Sequence, residues 1–349
     1  MNETTIMLKE KLKNAVRFFY DLQRLRMQSD SRADKKAKKA EAHLDEDDKQ
    51  FLSSTSKGLE KLEKEALKEV GRLSKDLSIY KEFLEGIRGV GPTMRGLLCA
   101  EIDIEQCETV SKLWRWCGLA VVDGVAEHPV KGDKLHYNPM MKSKMLGVLG
   151  DSFIKSCAVD AGGYHVNVPV KENGKQLYEP DPDNPGKERA VTRRVPLEGD
   201  PPYRKYYDEY KHRKESTMVD QCMGCRGTGK VTRVDRDADV AQGTKKPRSQ
   251  TVCPNCNGTG GPAPWGACPE HRHKAARRYM VKRFLADLWV AWRTLEGLSV
   301  RPPYAEEYLN RAHHGPSEMQ QVWNNVQRVF ERTHSPIPTG ARFERRVER

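Results

Sequence analysis

The sequence predicts a mainly α-helical fold interrupted by one small β module. Three observations predict it: apolar residues recur every three or four positions over long stretches, a glycine-punctuated turn joins two such stretches, and two Cys-x-x-Cys-x-Gly-x-Gly motifs interrupt the helical rhythm.

Residues 6–27 carry Leu8, Leu12, Ala15, Phe19 and Leu22 at spacings of four and three, and residues 59–84 carry Leu59, Leu62, Ala66, Val70, Leu73, Leu77, Tyr80 and Leu84 similarly. A single apolar stripe makes each an amphipathic helix. Between them, Ser29 to Lys49 is dense in Lys, Asp, Glu and Ala, and reads as a solvated helix extension or a mobile loop. Residues 1–85 are therefore expected to form an antiparallel helical hairpin or a dimerising coiled coil, which periodicity alone does not separate.

The stretch from Phe83 to Leu98 reads as helix, Gly89-Val90-Gly91 turn, helix, with Pro92 near the first turn of the second helix. This helix-hairpin-helix pattern suits anion binding, because glycines let the backbone approach closely and N–H groups at a helix N-terminus point at a phosphate oxygen. Arg88, Gly89, Val90, Gly91 and Arg95 are candidate DNA-binding residues on that ground. A glycine-rich turn between two packed helices has the same pattern. The helical domain continues to about residue 160 through a helix near Ser111 to Cys117, a basic loop from Lys131 to Asn138 and a helix from about Pro139 to Ser156. Lys131, Lys134, Lys142 and Lys144 join the candidate contacts, while Trp114 and Trp116 read as core area rather than base-stacking groups.

Residues 161–204 are rich in Pro, Gly, Asp and Asn without helical period, so a long irregular loop is expected, with a short hairpin around Val166 to Val170. Residues 205–221 hold a tyrosine-rich helix, residues 222–268 the cysteine motifs, and residues 269–335 the closing helices. Met280, Phe284, Leu288, Trp292 and Leu295 make an apolar face there, with Lys274, Arg278 and Lys282 along its flank as further DNA-binding candidates or a solvated edge. A helix from about Pro316 to Thr333 and a basic tail over 336–349 complete the chain.

Cys222-x-x-Cys225 and Cys253-x-x-Cys256 supply four thiolates in two close pairs, with 27 residues between the pairs. Two-residue spacing lets both sulfurs of a pair reach one ion, and four such ligands close a tetrahedral site for zinc. Short strands at Lys230-Val231-Thr232 and Thr251-Val252 make a zinc ribbon the simplest form, with one structural Zn2+. Cys268 and His271, spaced C-x-x-H, are alternative ligands. Nine cysteines, four of them in metal spacing, fit a reducing compartment. Cys99, Cys107, Cys117 and Cys157 read as small buried hydrophobes.

A formal charge of +12 and a pI of about 9.2 suggest a polyanionic partner, and a solvated surface that happens to be basic has the same composition. A hydrophobic content of 37% and a mean hydropathy of −0.78 mark a soluble chain. The start Met1-Asn-Glu-Thr-Thr lacks the order of a signal peptide, so the expected location is cytoplasmic or nucleoid-associated.

The run from Ile87 through Gly89-Val90-Gly91-Pro92 to Leu98, Glu101-Ile102, Trp116-Cys117-Gly118-Leu119 and Lys131 to Asn138 resembles the C-terminal domain of the insertion-sequence one-ten family transposases and the Piv-type DNA invertases. Tyr206-Tyr207-x-x-Tyr210-Lys211, His273-Lys274-Ala275 and the helix through Trp292 to Pro303-Tyr304 resemble the end of the same domain. Coverage is roughly residues 57–160 and 203–305, with the cysteine module as an insertion. The resemblance implies DNA strand exchange by an N-terminal RuvC-like fold with four metal-binding acidic residues, and by a serine nucleophile. This chain departs from both: its first 85 residues are helical, and the loop from Ala120 to Pro129 has no serine. Asp45 to Asp48 read as a solvated acidic run, and Ser143 as a surface-helix serine. His128 with Asp123 and Glu127 is a weaker acid–base candidate. The cysteine module itself resembles the repeats of the J-protein chaperones.

The expected function is a DNA-binding protein without strand-exchange chemistry of its own and without catalytic residues. The alternatives are an active recombinase component needing another chain or a guide RNA, and a structural or chaperone-like zinc protein. DNA is favoured over RNA as partner, and the N-terminal helices are the candidate surface for a homo-oligomer.

Overall fold

The computed structural model describes residues 3–38, 46–122, 125–129, 132, 134–160, 163–182, 186, 188–197, 203–234, 248–264 and 269–300. The fold is mainly α-helical. In chain order the helices are α1 (Glu3–Lys38), α2 (Glu46–Ser74), α3 (Ser78–Glu82), α4 (Pro92–Glu101), α5 (Val110–Trp116), α6 (Pro139–Ser143), α7 (Gly150–Lys155), α8 (Arg204–Arg213) and α9 (Pro269–Leu295). None of these is long and apolar enough to cross a membrane. Two compact units result, one of residues 1–139 with 285–349 and one of residues 140–284.

In the first unit α1 and α2 pack along one apolar seam in which Phe19 and Leu22 meet Ala66. Polar pairs flank it: Gln23 and Arg26 donate to the Glu63 carboxylate at 3.0 and 2.7 Å, and Ser56 Oγ donates to Asp30 at 2.6 Å. Partners on α2 recede as α1 advances, so the two helices run antiparallel. α4 joins them at Gly96, where an added Cβ would stand 2.2 Å from Val70 Cγ1 and 3.7 Å from Val16 Cγ2. Three helices approach this closely only because position 96 has no side chain.

The periodic stretch expected as one helix over 59–84 breaks after Ser74. Ser74 Oγ donates to the Val70 carbonyl at 2.6 Å, and Leu77 adopts extended backbone (φ −90°, ψ 131°) ahead of the short α3. Leu77, Tyr80 and Leu84 are still buried, so the apolar rhythm served packing rather than helix continuity. Leu62, assigned to the apolar face, is 46% exposed.

The end of α9 ties down the turn before α5. Trp289 Nε1 donates to the Cys107 carbonyl at 2.7 Å, and Arg293 donates to the carbonyls of Ile104 and Cys107 at 3.0 and 3.1 Å. Thr109 caps α5 by accepting from the Lys112 N–H at 3.2 Å. Trp114, Cys99, Cys107 and Cys117 are buried here, as expected, and burial pushes the Cys99 thiol up to about 12 and the Cys107 thiol up to about 11.

In the second unit, the helix expected from Pro139 to Ser156 forms, but its middle, Lys144–Leu149, is a wider π turn between α6 and α7. Gly150 then lies against Arg277, whose Cγ would stand 2.7 Å from an added Cβ, and Arg277 donates to Asp151 at 2.6 Å. The stretch expected as irregular loop contains β structure. Ala158–Asp160, Gly163–Pro169 and Thr192–Pro196 form an antiparallel three-stranded sheet, and two short ladders pair 171–172 with 175–176 and 178–180 with 188–190. Tyr203 at the start of α8 packs on Phe153 and Phe284, with ring centroids 4.9 and 5.2 Å away. The helix and tail expected beyond Arg301 lie outside the described residues.

Candidate metal centre and nucleic-acid contacts

The cysteine module sits between α8 and α9 in the second unit. Met218–Val219 pairs antiparallel with Ala263–Pro264, so the chain enters and leaves through one small ladder. A second ladder pairs Lys230–Val234 with Arg248–Val252, where short strands were expected. Cys222-x-x-Cys225 lies between the first strands of the two ladders and Cys253-x-x-Cys256 between their second strands, and this brings the two pairs face to face.

All four sulfurs lie within 4.8 Å of one another. Cys222 Sγ is 3.8 Å from Cys253 Sγ, and Cys225 Sγ is 3.7 Å from Cys256 Sγ. A disulfide would need a separation near 2.05 Å, whereas a tetrahedron with metal–sulfur bonds of about 2.3 Å has edges of about 3.8 Å. The spacing therefore fits one four-coordinate ion of zinc size. Among the described residues this is the one group of three or more His, Cys, Asp or Glu side chains with metal-holding geometry. His271 does not belong to it, and Cys268 lies outside the described residues.

The backbone prepares the sulfurs for negative charge. Gly229 N–H donates to Cys225 Sγ at 3.2 Å, and Gly260 N–H donates to Cys256 Sγ at 3.3 Å. Burial pushes the Cys253 thiol up; at Cys256 burial is outweighed by the Gly260 N–H and the neighbouring thiols, which bring it down. Four thiols packed together do not all ionise unaided, and a dication would supply what is missing. The arrangement is duplicated around an approximate two-fold. Cys253 N–H donates to Gly229 O at 2.8 Å and Cys222 N–H donates to Gly260 O at 3.2 Å, while Thr228 and Thr259 hydroxyls donate to the Cys225 and Cys256 carbonyls at 2.7 and 2.8 Å. The left-handed residues match too, with φ of 53° and 50° at Arg226 and Asn257, 82° and 86° at Gly227 and Gly258, and 70° and 68° at Gly229 and Gly260.

The candidate DNA-binding residues fall into separate groups. Arg88, Gly89, Val90, Gly91 and Arg95 share one turn of the first unit, between a 3-10 turn at Leu84–Gly86 and α4. Gly89 has φ +91°, Gly91 precedes α4 with ordinary extended backbone, and Arg88 is exposed. Val90 is buried. Arg95 donates to the Glu85 carbonyl at 3.0 Å and lies 5.6 Å from the Tyr80 ring, so its guanidinium braces the turn. Lys134 is exposed, and Lys131 lies outside the described residues.

Lys142 and Lys144 of the second unit are half-buried, and burial lowers the Lys144 pKa. The flank of α9 is not a uniform solvated stripe. Lys274 is exposed but pairs with Glu270 at 2.7 Å. Arg278 and Lys282 are half-buried, and burial, with help from Arg278, brings the Lys282 pKa down to about 8. His128 is exposed with its Nδ1 3.2 Å from the Ala126 carbonyl, Ser143 is exposed on α6, and Asp123 lies outside the described residues.

The tyrosines of α8 and His273, which the sequence tied only to the family resemblance, form a cluster. Tyr207 OH meets His273 Nδ1 at 2.6 Å, and Arg204, Lys205, Lys211, Arg213 and Arg283 lie over tyrosine rings. The alternation of tyrosine with Lys and Arg from Tyr203 to Arg213 was the available signal. No protein-family model matches this chain, and no curated protein or solved structure matches it significantly.

Proposed function

We propose that this chain is a DNA-binding protein whose body is a helix-hairpin-helix domain of the insertion-sequence one-ten transposase type, carrying an inserted zinc ribbon and no strand-exchange chemistry of its own. One observation carries the reading. At the turn before α4 the backbone of Gly91 is open, since an added Cβ there would meet nothing within 4 Å, and the exposed Arg88 lies three residues before it. A phosphate has room to approach the N–H groups of the first turn of α4, with a guanidinium near by. The net charge of +12 supports a polyanion as partner. Four sulfurs leave the zinc no open position, so the ion is structural. The site of action is the cytoplasm or nucleoid.

Duplex binding measured by fluorescence anisotropy against salt tests the reading. Affinity is expected to fall steeply as salt rises, by counterion release. Gly91 has φ −73°, which alanine tolerates, so Gly91→Ala should fold normally yet lose duplex affinity by obstructing the phosphate. Absence of binding at low salt, or binding indifferent to salt, overturns the proposal.

A further observation supports self-association through α1. Met7, Phe18 and Leu25 are 55%, 57% and 49% exposed, and spacings of eleven and seven residues put them on one face of the helix. Sedimentation of nuclease-treated protein, wild type against Phe18→Glu, tests this: a dimer that the substitution converts to monomer is expected.

A further inference from the structure

The second unit holds cations that face aromatic rings. On α8, Tyr206 and Tyr210 stand one helical turn apart, and Tyr279 of α9 meets both. Its ring lies 5.1 Å from Tyr210 at an interplanar angle of 35°, and 6.4 Å from Tyr206, edge-on at 81°. The cluster is graded in exposure. Tyr203, Tyr206 and Tyr207 are buried and the Tyr207 hydroxyl is closed onto His273, whereas Tyr210 and Tyr279 are half-buried and Arg213 is exposed. Arg213 holds its guanidinium 5.4 Å from the Tyr210 ring and 5.6 Å from the Tyr279 ring, and among the described residues it takes no carboxylate partner.

Core packing accounts for the buried tyrosines but not for a guanidinium left on two half-exposed rings. Such a surface sets two half-buried aromatic rings and a positive charge side by side. A flexible polyanion that carries one planar ring per charge matches both features at once. A duplex does not, because its base faces are already stacked inside.

We infer that Tyr210, Tyr279 and Arg213 form a stacking platform for an unpaired base of single-stranded nucleic acid, with Arg213 also meeting the adjacent phosphate. This rests on the nucleic-acid reading above and narrows it: the α4 turn takes duplex backbone, and the platform takes a strand whose bases are free.

The test uses the full chain and three labelled probes of one sequence, about 12 nucleotides long to match a typical single-strand site: single-stranded DNA, single-stranded RNA and blunt duplex DNA. Tyr210→Ala and Tyr279→Ala are each expected to weaken single-strand binding roughly ten-fold, the size of one base–aromatic stack, while duplex affinity is unchanged. Tyr210→Phe and Tyr279→Phe should keep the affinity, because the ring face is retained. The tyrosine variants should leave the salt dependence intact, whereas Arg213→Gln should reduce it. The probe that shows the tyrosine-dependent loss identifies the strand as DNA or RNA. If Tyr279→Ala lowers the melting temperature, Tyr210→Ala against Tyr210→Phe carries the comparison. Duplex binding without single-strand binding, or equal losses on both, overturns the platform and leaves the duplex reading standing. Binding to none of the probes removes both.

Discussion

Gly229 lies against the carbonyl of Gly258 so closely that a β-carbon on Gly229 would stand 2.1 Å from that oxygen. Its φ of +70° independently favours glycine. Clash and conformation act together, so Gly229→Ala is expected to destabilise the cysteine module by about 2–4 kcal/mol. Gly260 faces the Gly227 carbonyl at the same 2.1 Å, and Gly260→Ala should match it. Thermal unfolding of the zinc-loaded protein checks both. Gly261→Ala, where an added Cβ would meet only Thr259 Oγ1 at 3.9 Å, is the control expected to melt near wild type.

One zinc per chain is expected by atomic absorption, and Cys253→Ser or Cys225→Ser should lower retention through dialysis. Each ligand sheds a proton on binding, so affinity falls as pH falls. Release monitored with a chromogenic chelator should therefore be slow above neutrality and accelerate towards pH 5. Release that ignores pH would speak against thiolate ligation.

The contact between Gly96 and Val70 predicts a compensating pair. Gly96→Ala alone drives a methyl onto Val70 Cγ1, an overpacking cost of about 1–3 kcal/mol. Val70→Ala alone opens a cavity. The double variant should be more stable than the sum of the single losses implies, and a double-mutant cycle in urea measures the coupling.

Lys282 has a pKa brought down to about 8 in the fold, against about 10.4 in an unfolded chain. The unfolded state binds more protons between those values, so burying this amine costs stability that is fully present below pH 8 and disappears as pH rises towards 10.4. Lys282→Met is expected to stabilise by about 1–2 kcal/mol at pH 7 and by much less at pH 10.5. Urea unfolding at the two pH values gives the comparison.

Reading the sequence located the helices well where one apolar stripe had one job. α1, α4, α5 and α9 fall close to their expected places because Leu12, Phe19, Leu97, Leu113 and Phe284 are core residues at helical spacing. The same rule joined α2 to α3, since Leu77 and Tyr80 keep the rhythm across a break that only backbone conformation reveals. The sheet within 158–196 was expected only as a short hairpin around Val166 to Val170, because its strands are short and largely exposed, leaving little apolar alternation to read. One signal was present there: Asn173-Gly174, with φ of 50° and 77°, is the pair a tight two-residue hairpin favours.

The four-cysteine cluster was legible, because four cysteines with their glycines are a local pattern whose spacing encodes the geometry. The basic residues were legible only as charge. Arg95 and Lys274 were grouped with Arg88 by type, yet one braces a turn and the other pairs with Glu270, and those partners are set by packing that spacing does not record.

The paired knuckles have a consequence for how such a module is specified. Cys222 to Gly229 and Cys253 to Gly260 share both cysteines, the threonine and two glycines, together with the hydrogen bonds and left-handed residues built on them, so they amount to one framework used twice. A part that fits its own copy needs no second design. At the five positions the halves share, a fault introduced in one has a twin site in the other at which it can be weighed, whereas Gly224 lies against Asn255, so the two segments are not interchangeable whole.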